Sequence, residues 1–296
     1  LFRSLLLISL LTALPLGATL IQNDIPAPAF EVPFDEGTGN PAYSGSEGSG
    51  TSSFTDLAWA TSPTAGEGNG TTTVGTAGTT LDALTDVTFS WCTNPDTFGE
   101  GNAGRVLSKG DASSLNFTWQ FTLAQSPDRI QLQWSAGGAD TRRCYTPTTV
   151  GDGWKHRIFA GTCPLTLSAA CTGQWYTSGT PTTTTCDQTG TGTRADDSAY
   201  VVRLMNLQDG TRAFDGKMRQ LRIYRTAFNA LQAEFLAGTV NCTGEVTPPD
   251  PVIETECDVL MTSYNAAAGQ SDPFERTTGQ FANGDACAAH MGVPAR

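Results

Sequence analysis

Residues 212–238 read RAFDGKMRQLRIYRTAFNALQAEFLAG. Phe214, Asp215, Gly216 and Lys217 predict a turn, in which Asp supplies a local backbone hydrogen bond and Gly takes the unusual φ. Alternation follows: Lys217, Arg219, Leu221, Ile223 and Arg225 share one face, and Met218, Gln220, Arg222 and Tyr224 share the other. Leu221 and Ile223 are therefore expected in the core, with Tyr224 and the Arg222 stem covering the opposite side. Asn229 suits an N-cap, Gln232 completes a capping box, and Phe228 is placed to staple against Ala233. Leu231, Phe235 and Leu236 form an apolar stripe, and Gly238 is expected to end the helix. So short a helix is marginal alone, so packing must hold it. The stretch reads as a closing strand with a docked cap, not as a catalytic element.

Outward from this seam, residues from about 30 to 242 show short β-like runs between Gly-, Asn-, Asp- and Thr-rich turns. DVTFSW (86–91), NFTWQFTLA (116–124) and DRIQLQWSA (128–136) are the clearest. Ile130, Leu132 and Trp134 alternate with Arg129, Gln131 and Gln133, the period of a half-buried strand. WKHRIFAG, PLTLSAA, AYVVRLMN and KMRQLRIYR follow. With one convincing helix in the chain, parallel crossovers are lacking, so the sheets are expected to be antiparallel. The fold class is all-β, a sandwich or barrel.

The chain has 296 residues and a formal net charge of −12. That charge argues against nucleic acid or an anionic membrane as partner, since both attract basic surfaces. Residues 1–18 read as a signal peptide: Arg3 gives a positive start, Leu5 to Leu14 an apolar run, and Leu16-Gly17-Ala18 a cleavage site. The run is shorter than the about 20 residues a membrane helix needs, so no membrane insertion is expected after its removal. Eight cysteines, namely Cys92, Cys144, Cys163, Cys171, Cys186, Cys242, Cys257 and Cys287, fit disulfides in a secreted chain. Their connectivity is open. Pairing of Cys163 with Cys171 is disfavoured, because a strand over PLTLSAA separates them by roughly 25 Å. No CxxC occurs and there are two His, which speaks against zinc. Asn69, Asn116 and Asn241 begin N-x-T triplets, candidates for glycosylation or chance in a Thr-rich chain.

FDGKMRQLRIYRTAFNALQAEF resembles the closing motif of laminin-G-like (concanavalin A-like) jelly-roll domains. In order along the chain, VPFDEGTGN (32–40), DVTFSWCTNPDTFGEGNAGRVLSKGD (86–111), GWKH (153–156) and LTLSAACTG (165–173) are similar to segments of the same family. The resemblance covers residues 30–243. It implies a two-sheet antiparallel jelly-roll sandwich with one short C-terminal helix. It also implies a calcium site, for which Asp35, Glu36 and Asp215 are the candidate oxygen ligands, since calcium takes several oxygens from turns. The chain departs from the family where acidic residues often stand, with Arg219 and Gln220 instead. Turn capping is the other reading of the three carboxylates.

Residues 244–254, GEVTPPDPVIE, read as a Pro-rich linker. Residues 255–296 read as a small separate unit, cut short, whose CDVLMTSYNAAAG and FANGDACAAHMGV resemble the N-terminal cap of leucine-rich-repeat proteins.

Catalysis is not expected. The carboxylate set E-x-D-x-x-E of the fold's glycosidases is missing, and paired carboxyls are what glycoside hydrolysis needs. Asp196-Asp197 and Asp35-Glu36 are sequence neighbours and point apart if extended. His156 lies in a strand pattern, and no nucleophile elbow or phosphate loop is present. Binding is the better reading, because exposed aromatics stack on sugar rings. Trp175 and Tyr176 lie in GQWYTSG, read as a polar loop, and Tyr145 lies in TRRCYTP with Arg142. These four residues are the candidate ligand rim, while Trp91, Trp119, Trp134 and Trp154 are expected in the core. The expected role is a secreted recognition or adhesion module for an extracellular glycan or protein. An accessory domain of a carbohydrate-active enzyme and a structural module are the alternatives. Oligomeric state does not follow from the sequence.

Overall fold

The computed structural model describes residues 25–78, 81–110, 117–135, 141–165, 171–189, 193, 196–207 and 209–243. The chain divides into Leu1–Glu245 and Val246–Arg296, and the described residues belong to the first unit. The expected signal peptide, the linker and the C-terminal unit lie outside the described residues, as do Asn116, Cys257 and Cys287.

Among the described residues there are eighteen strands and one α-helix. In chain order they are β1 (Phe30–Val32), β2 (Ala42–Tyr43), β3 (Gly50–Thr51), β4 (Ser53–Thr55), β5 (Ala58–Thr61), β6 (Thr64–Asn69), β7 (Val74–Ala77), β8 (Asp86–Pro95) and β9 (Arg105–Gly110). Then come β10 (Phe117–Ala124), β11 (Arg129–Ser135), β12 (Thr141–Pro147), β13 (Lys155–Thr162), β14 (Thr172–Thr177), β15 (Thr180–Pro181), β16 (Thr185–Thr189), β17 (Val202–Leu204), β18 (Asp215–Tyr224) and α1 (Ala230–Thr239). The first sheet runs β15-β14-β13-β8-β18-β6-β5, with β1 also on β18, and the second runs β16-β12-β11-β10-β9-β17-β7-β4. Every pairing in them is antiparallel. This is the all-β jelly-roll sandwich with one short helix that the sequence predicts.

The inner faces meet in an aromatic core. Phe89 and Trp91 of β8 lie against Phe121 of β10 with ring centroids 4.5 and 4.8 Å apart. Trp119, Trp134, Phe159 and Trp175 complete the cluster, all at most 1% exposed. Trp91, Trp119 and Trp134 are core residues as expected. Trp154 is only partly buried and packs on the other side of the first sheet.

The opening stretch behaves as a seam. Gly216 holds φ 133°, and a Cβ there would meet the Asn94 carbonyl oxygen at 2.5 Å, so glycine is required. Leu221 and Ile223 enter the core, but so does Met218, against strict alternation. A bulge between Arg219 and Arg222, with Gln220 at φ 52°, adds a residue and reverses the parity. Helix α1 has the expected capping box, with Asn229 and Gln232 bonding reciprocally at 3.0 Å. It runs one residue past Gly238, and its buried residues are Ala233 and Leu236, while Leu231 is 55% exposed.

Helix α1 docks on the outer face of the first sheet. Cys92, Ile158, Tyr176 and Tyr224 from the strands meet Phe228, Ala233, Leu236 and Val240. Thr88 Oγ1 donates to the Thr226 carbonyl and accepts from Phe228 N–H, fixing the turn into the helix. The Cys92–Cys242 disulfide ties the end of this segment back to β8.

Two further bridges are Cys144–Cys186 and Cys163–Cys171. The second corrects the sequence reading. Strands β13 and β14 are a hairpin with Thr162 opposite Thr172, so the next residues outward, Cys163 and Cys171, meet at its mouth. Residues 166–170, between the two cysteines, lie outside the described residues.

Candidate functional site

The two outer faces of the sandwich differ. On that of the first sheet, α1 packs over β8, β13, β14 and β18. No described helix packs on that of the second sheet, and its side chains are polar across seven strands.

The register builds the face in rows. One row runs Thr76 (β7), Arg203 (β17), Ser108 (β9), Gln120 (β10), Gln133 (β11), Arg143 (β12) and Asp187 (β16), each directly opposite the next. A second runs Arg105, Thr122, Gln131, Tyr145 and Thr185. They face outward because the alternate positions, Trp119, Phe121, Ile130, Leu132 and Trp134, fill the core. RIQLQW thus divides as its alternation predicts.

Hydrogen bonds link the rows. Arg105 donates Nε–H to Gln120 Oε1 at 2.7 Å, and Gln120 Nε2 donates to Gln133 Oε1 at 3.2 Å. Gln131 Nε2 reaches the same Gln133 oxygen at 3.4 Å. Arg143 grips Asp187 through Nε and Nη2 at 2.9 and 3.0 Å, and Arg203 donates to Thr76 Oγ1. The Arg129 guanidinium lies over the Tyr145 ring, 4.7 Å from its centroid. Burial holds Arg105 down to about 10, Arg212 adding to the effect and Asp209 opposing it.

Three polar atoms here are buried without a hydrogen-bond partner: Thr122 Oγ1, Gln131 Oε1 and Arg129 Nε. Thr122 is 2% and Gln131 6% exposed. Leaving such a group unpaired costs about 1–3 kcal/mol. Such atoms also occur at Trp91, Trp119, Arg142, His156 and Arg219, and what sets these three apart is their place together on one outer face.

Of the residues predicted from sequence, Tyr145 belongs to this face. Arg142 does not: it points inward beside Trp134, fully buried, its guanidinium nitrogens unpartnered and its pKa lowered by burial. Trp175 and Tyr176 are in strand β14 rather than a loop, paired with Phe159 and Ile158. Adjacent in a strand, they point to opposite faces. Trp175 enters the core and donates its indole N–H to the Cys144 carbonyl at 3.0 Å. Tyr176 lies in the cluster under α1, its phenol pushed up by burial. The predicted rim of Trp175, Tyr176, Arg142 and Tyr145 is therefore not assembled.

The candidate metal ligands are separated too. Asp215 starts β18, where its Oδ2 accepts from Thr97 Oγ1 at 2.6 Å. Asp35 and Glu36 follow Phe34, whose neighbour Pro33 accepts from Gln220 N–H, five residues further along β18. Glu36 Oε1 caps Ala42 N–H at 2.7 Å. Among the described residues no three His, Cys, Asp or Glu side chains cluster so as to hold a metal ion.

His156 sits on the outer face of the first sheet, 3% exposed, with Nε2 2.8 Å from Ser90 Oγ. Burial, assisted by Arg222, pushes its pKa down to about 3. It is a neutral structural partner of Ser90, with Nδ1 unpartnered.

No family model matches the chain, and no curated protein matches it. Solved structures do. The binding domain of botulinum neurotoxin serotype D/C (VPI 5993) gives a TM-score of 0.53 at 8% identity, over 72% of this chain and 52% of that one. A botulinum neurotoxin type C structure, whose cell entry depends on interaction with two ganglioside molecules, gives 0.52 at 7% identity, over 73% and 51%. Domain 4 of AbnA, a GH43 extracellular arabinanase from Geobacillus stearothermophilus, in complex with arabinotriose, gives 0.49 at 17% identity, over 72% and 100%. The chain spans about half the length of the toxin domains. At these identities the toxin likeness shows a shared β-sandwich fold.

Proposed function

We propose that this chain is a secreted, non-catalytic recognition module that binds carbohydrate on the polar outer face of the second sheet, within a laminin-G-like jelly roll. The observation that carries the reading is the pair of buried, unpartnered oxygens, Thr122 Oγ1 and Gln131 Oε1, on the face that α1 leaves uncovered. Sugar hydroxyls both donate and accept, so one pyranose ring can complete these groups, with Gln133, Tyr145 and Arg129 beside it. The amide and hydroxyl lining is already ordered by its own hydrogen bonds, which lowers the cost of holding it for a ligand.

Recognition is preferred to hydrolysis because the described carboxylate in these rows, Asp187, is engaged by Arg143, and glycoside hydrolysis uses a pair. Secretion is supported by three disulfides in the described residues, which persist in oxidising compartments. The likeness in fold to a structure of botulinum neurotoxin type C, whose cell entry depends on interaction with two ganglioside molecules, is compatible with an extracellular glycan ligand and supplies no residue.

A glycan array probed with the purified chain, with and without a chelator, tests the reading. Binding to a defined glycan set is expected. Absence of binding to any glycan overturns it. Loss of binding with the chelator would restore the calcium reading of Asp35, Glu36 or Asp215.

A further inference from the structure

The proposed site has a charge that the chain as a whole does not. The protein carries a net −12, yet its rows present Arg105 and Arg143, and Arg129 stands beside them over Tyr145. The acid within the rows, Asp187, is consumed by Arg143, and Asp209 stands close enough to Arg105 to act on it. A local cationic face on an acidic protein selects an anionic ligand.

We infer that the ligand is a uronate-bearing glycan and that Arg129 receives its carboxylate; this rests on the reading of the face as a glycan site. The geometry is specific. Stacking over Tyr145 fixes the plane of the Arg129 guanidinium, and its Nε is buried without a partner. The Nε–Nη edge of an arginine presents two parallel N–H groups that match the two oxygens of a carboxylate. The neighbouring strand shows that match completed: Arg143 uses Nε and Nη2 on the two oxygens of Asp187. Arg129 offers the same edge with no carboxylate on its Nε.

The unpaired oxygens stand at the right remove. Gln131 follows Arg129 by two residues on the same face, about 7 Å along the strand, and Thr122 lies opposite Gln131. One sugar ring spans that distance with its carboxylate at Arg129 and its hydroxyls at Gln131 and Thr122. The Arg143–Asp187 pair shows this edge taking a carboxylate; two oxygens of a sulfate fit the same edge, so the test includes a sulfated probe.

The test uses the full chain in titration calorimetry against polygalacturonate, alginate and hyaluronan, each beside its carboxyl-reduced counterpart, with dextran sulfate as the sulfated probe. At least one uronate polymer should bind, and its carboxyl-reduced form more than tenfold more weakly. Arg129→Gln should weaken uronate binding by more than tenfold and Arg129→Lys by less, with melting temperatures close to wild type. Arg129→Lys keeps the test informative should Arg129→Gln fail to fold. Equal affinity for uronate and carboxyl-reduced polymers, or undiminished binding by Arg129→Gln, overturns this inference while leaving the glycan site standing. Binding to dextran sulfate alone overturns it as well. Absence of binding to every polymer and every array glycan removes both readings.

Discussion

Trp175 donates its indole N–H to the Cys144 carbonyl at 3.0 Å, a bond between a residue of the first sheet and one of the second. It is surrounded by Trp91, Phe121 and Phe159, with ring centroids 5.9, 5.9 and 5.2 Å away. The side chain is therefore a structural tie and not a sugar platform.

Trp175→Phe should destabilise the fold by about 1–3 kcal/mol, through the lost bond and an unpaired carbonyl, and Trp175→Ala by about 3–5 kcal/mol. Chemical denaturation measures both. Glycan affinity of the folded Trp175→Phe protein should equal that of wild type, and a selective loss would return Trp175 to the site.

His156 sets an acid sensitivity. Its pKa is 6.5 in the unfolded chain and about 3 in the folded one. Between these values the unfolded state binds a proton that the folded state does not, so stability rises with pH through this window. The contribution is complete above about pH 6.5 and is lost as pH falls toward 3, at about 1.4 kcal/mol per pH unit. His156→Gln keeps an acceptor for Ser90 and removes the titration. Its denaturation free energy should therefore fall less steeply than that of wild type between pH 6.5 and 4.5. Parallel pH profiles would contradict the buried neutral imidazole.

The Cys92–Cys242 bridge closes a separation of 150 residues. In the chain-entropy account a loop of that length is worth about 5 kcal/mol, released through the unfolded state. A Cys92→Ser/Cys242→Ser double variant should unfold at lower denaturant and become sensitive to proteolysis around α1 first. The sheet partners of β8 do not depend on this bridge, so the sandwich should persist at neutral pH.

The seam was legible because its signals are local. A capping box needs four residues and a strand face needs alternation, and both are seen. Alternation failed at Met218 because a bulge is a two-strand property, set by how β18 pairs with β8. GQWYTSG looked like a loop because Gly, Thr and Ser surround the aromatics. Its pairing with Ile158 and Phe159, some sixteen residues earlier, overrides that composition. The same hairpin brought Cys163 to Cys171. For the site, DRIQLQWSA showed which of its residues face outward, and Tyr145 was singled out. The row that joins them depends on strand order across seven strands, which no window of sequence contains.

Thr122 and Gln131 are the heart of the proposed glycan site, and calorimetric titration of Thr122→Val/Gln131→Leu with the strongest array glycan of wild type tests it. Replacing unpaired buried polar atoms with apolar ones of similar shape costs little stability or adds some. Gln131→Leu also gives up the 3.4 Å bond from its Nε2 to Gln133, so the double variant should melt close to the wild-type temperature and bind that glycan at least tenfold more weakly. Undiminished affinity in a folded double variant would rule out Thr122 and Gln131 as the glycan site.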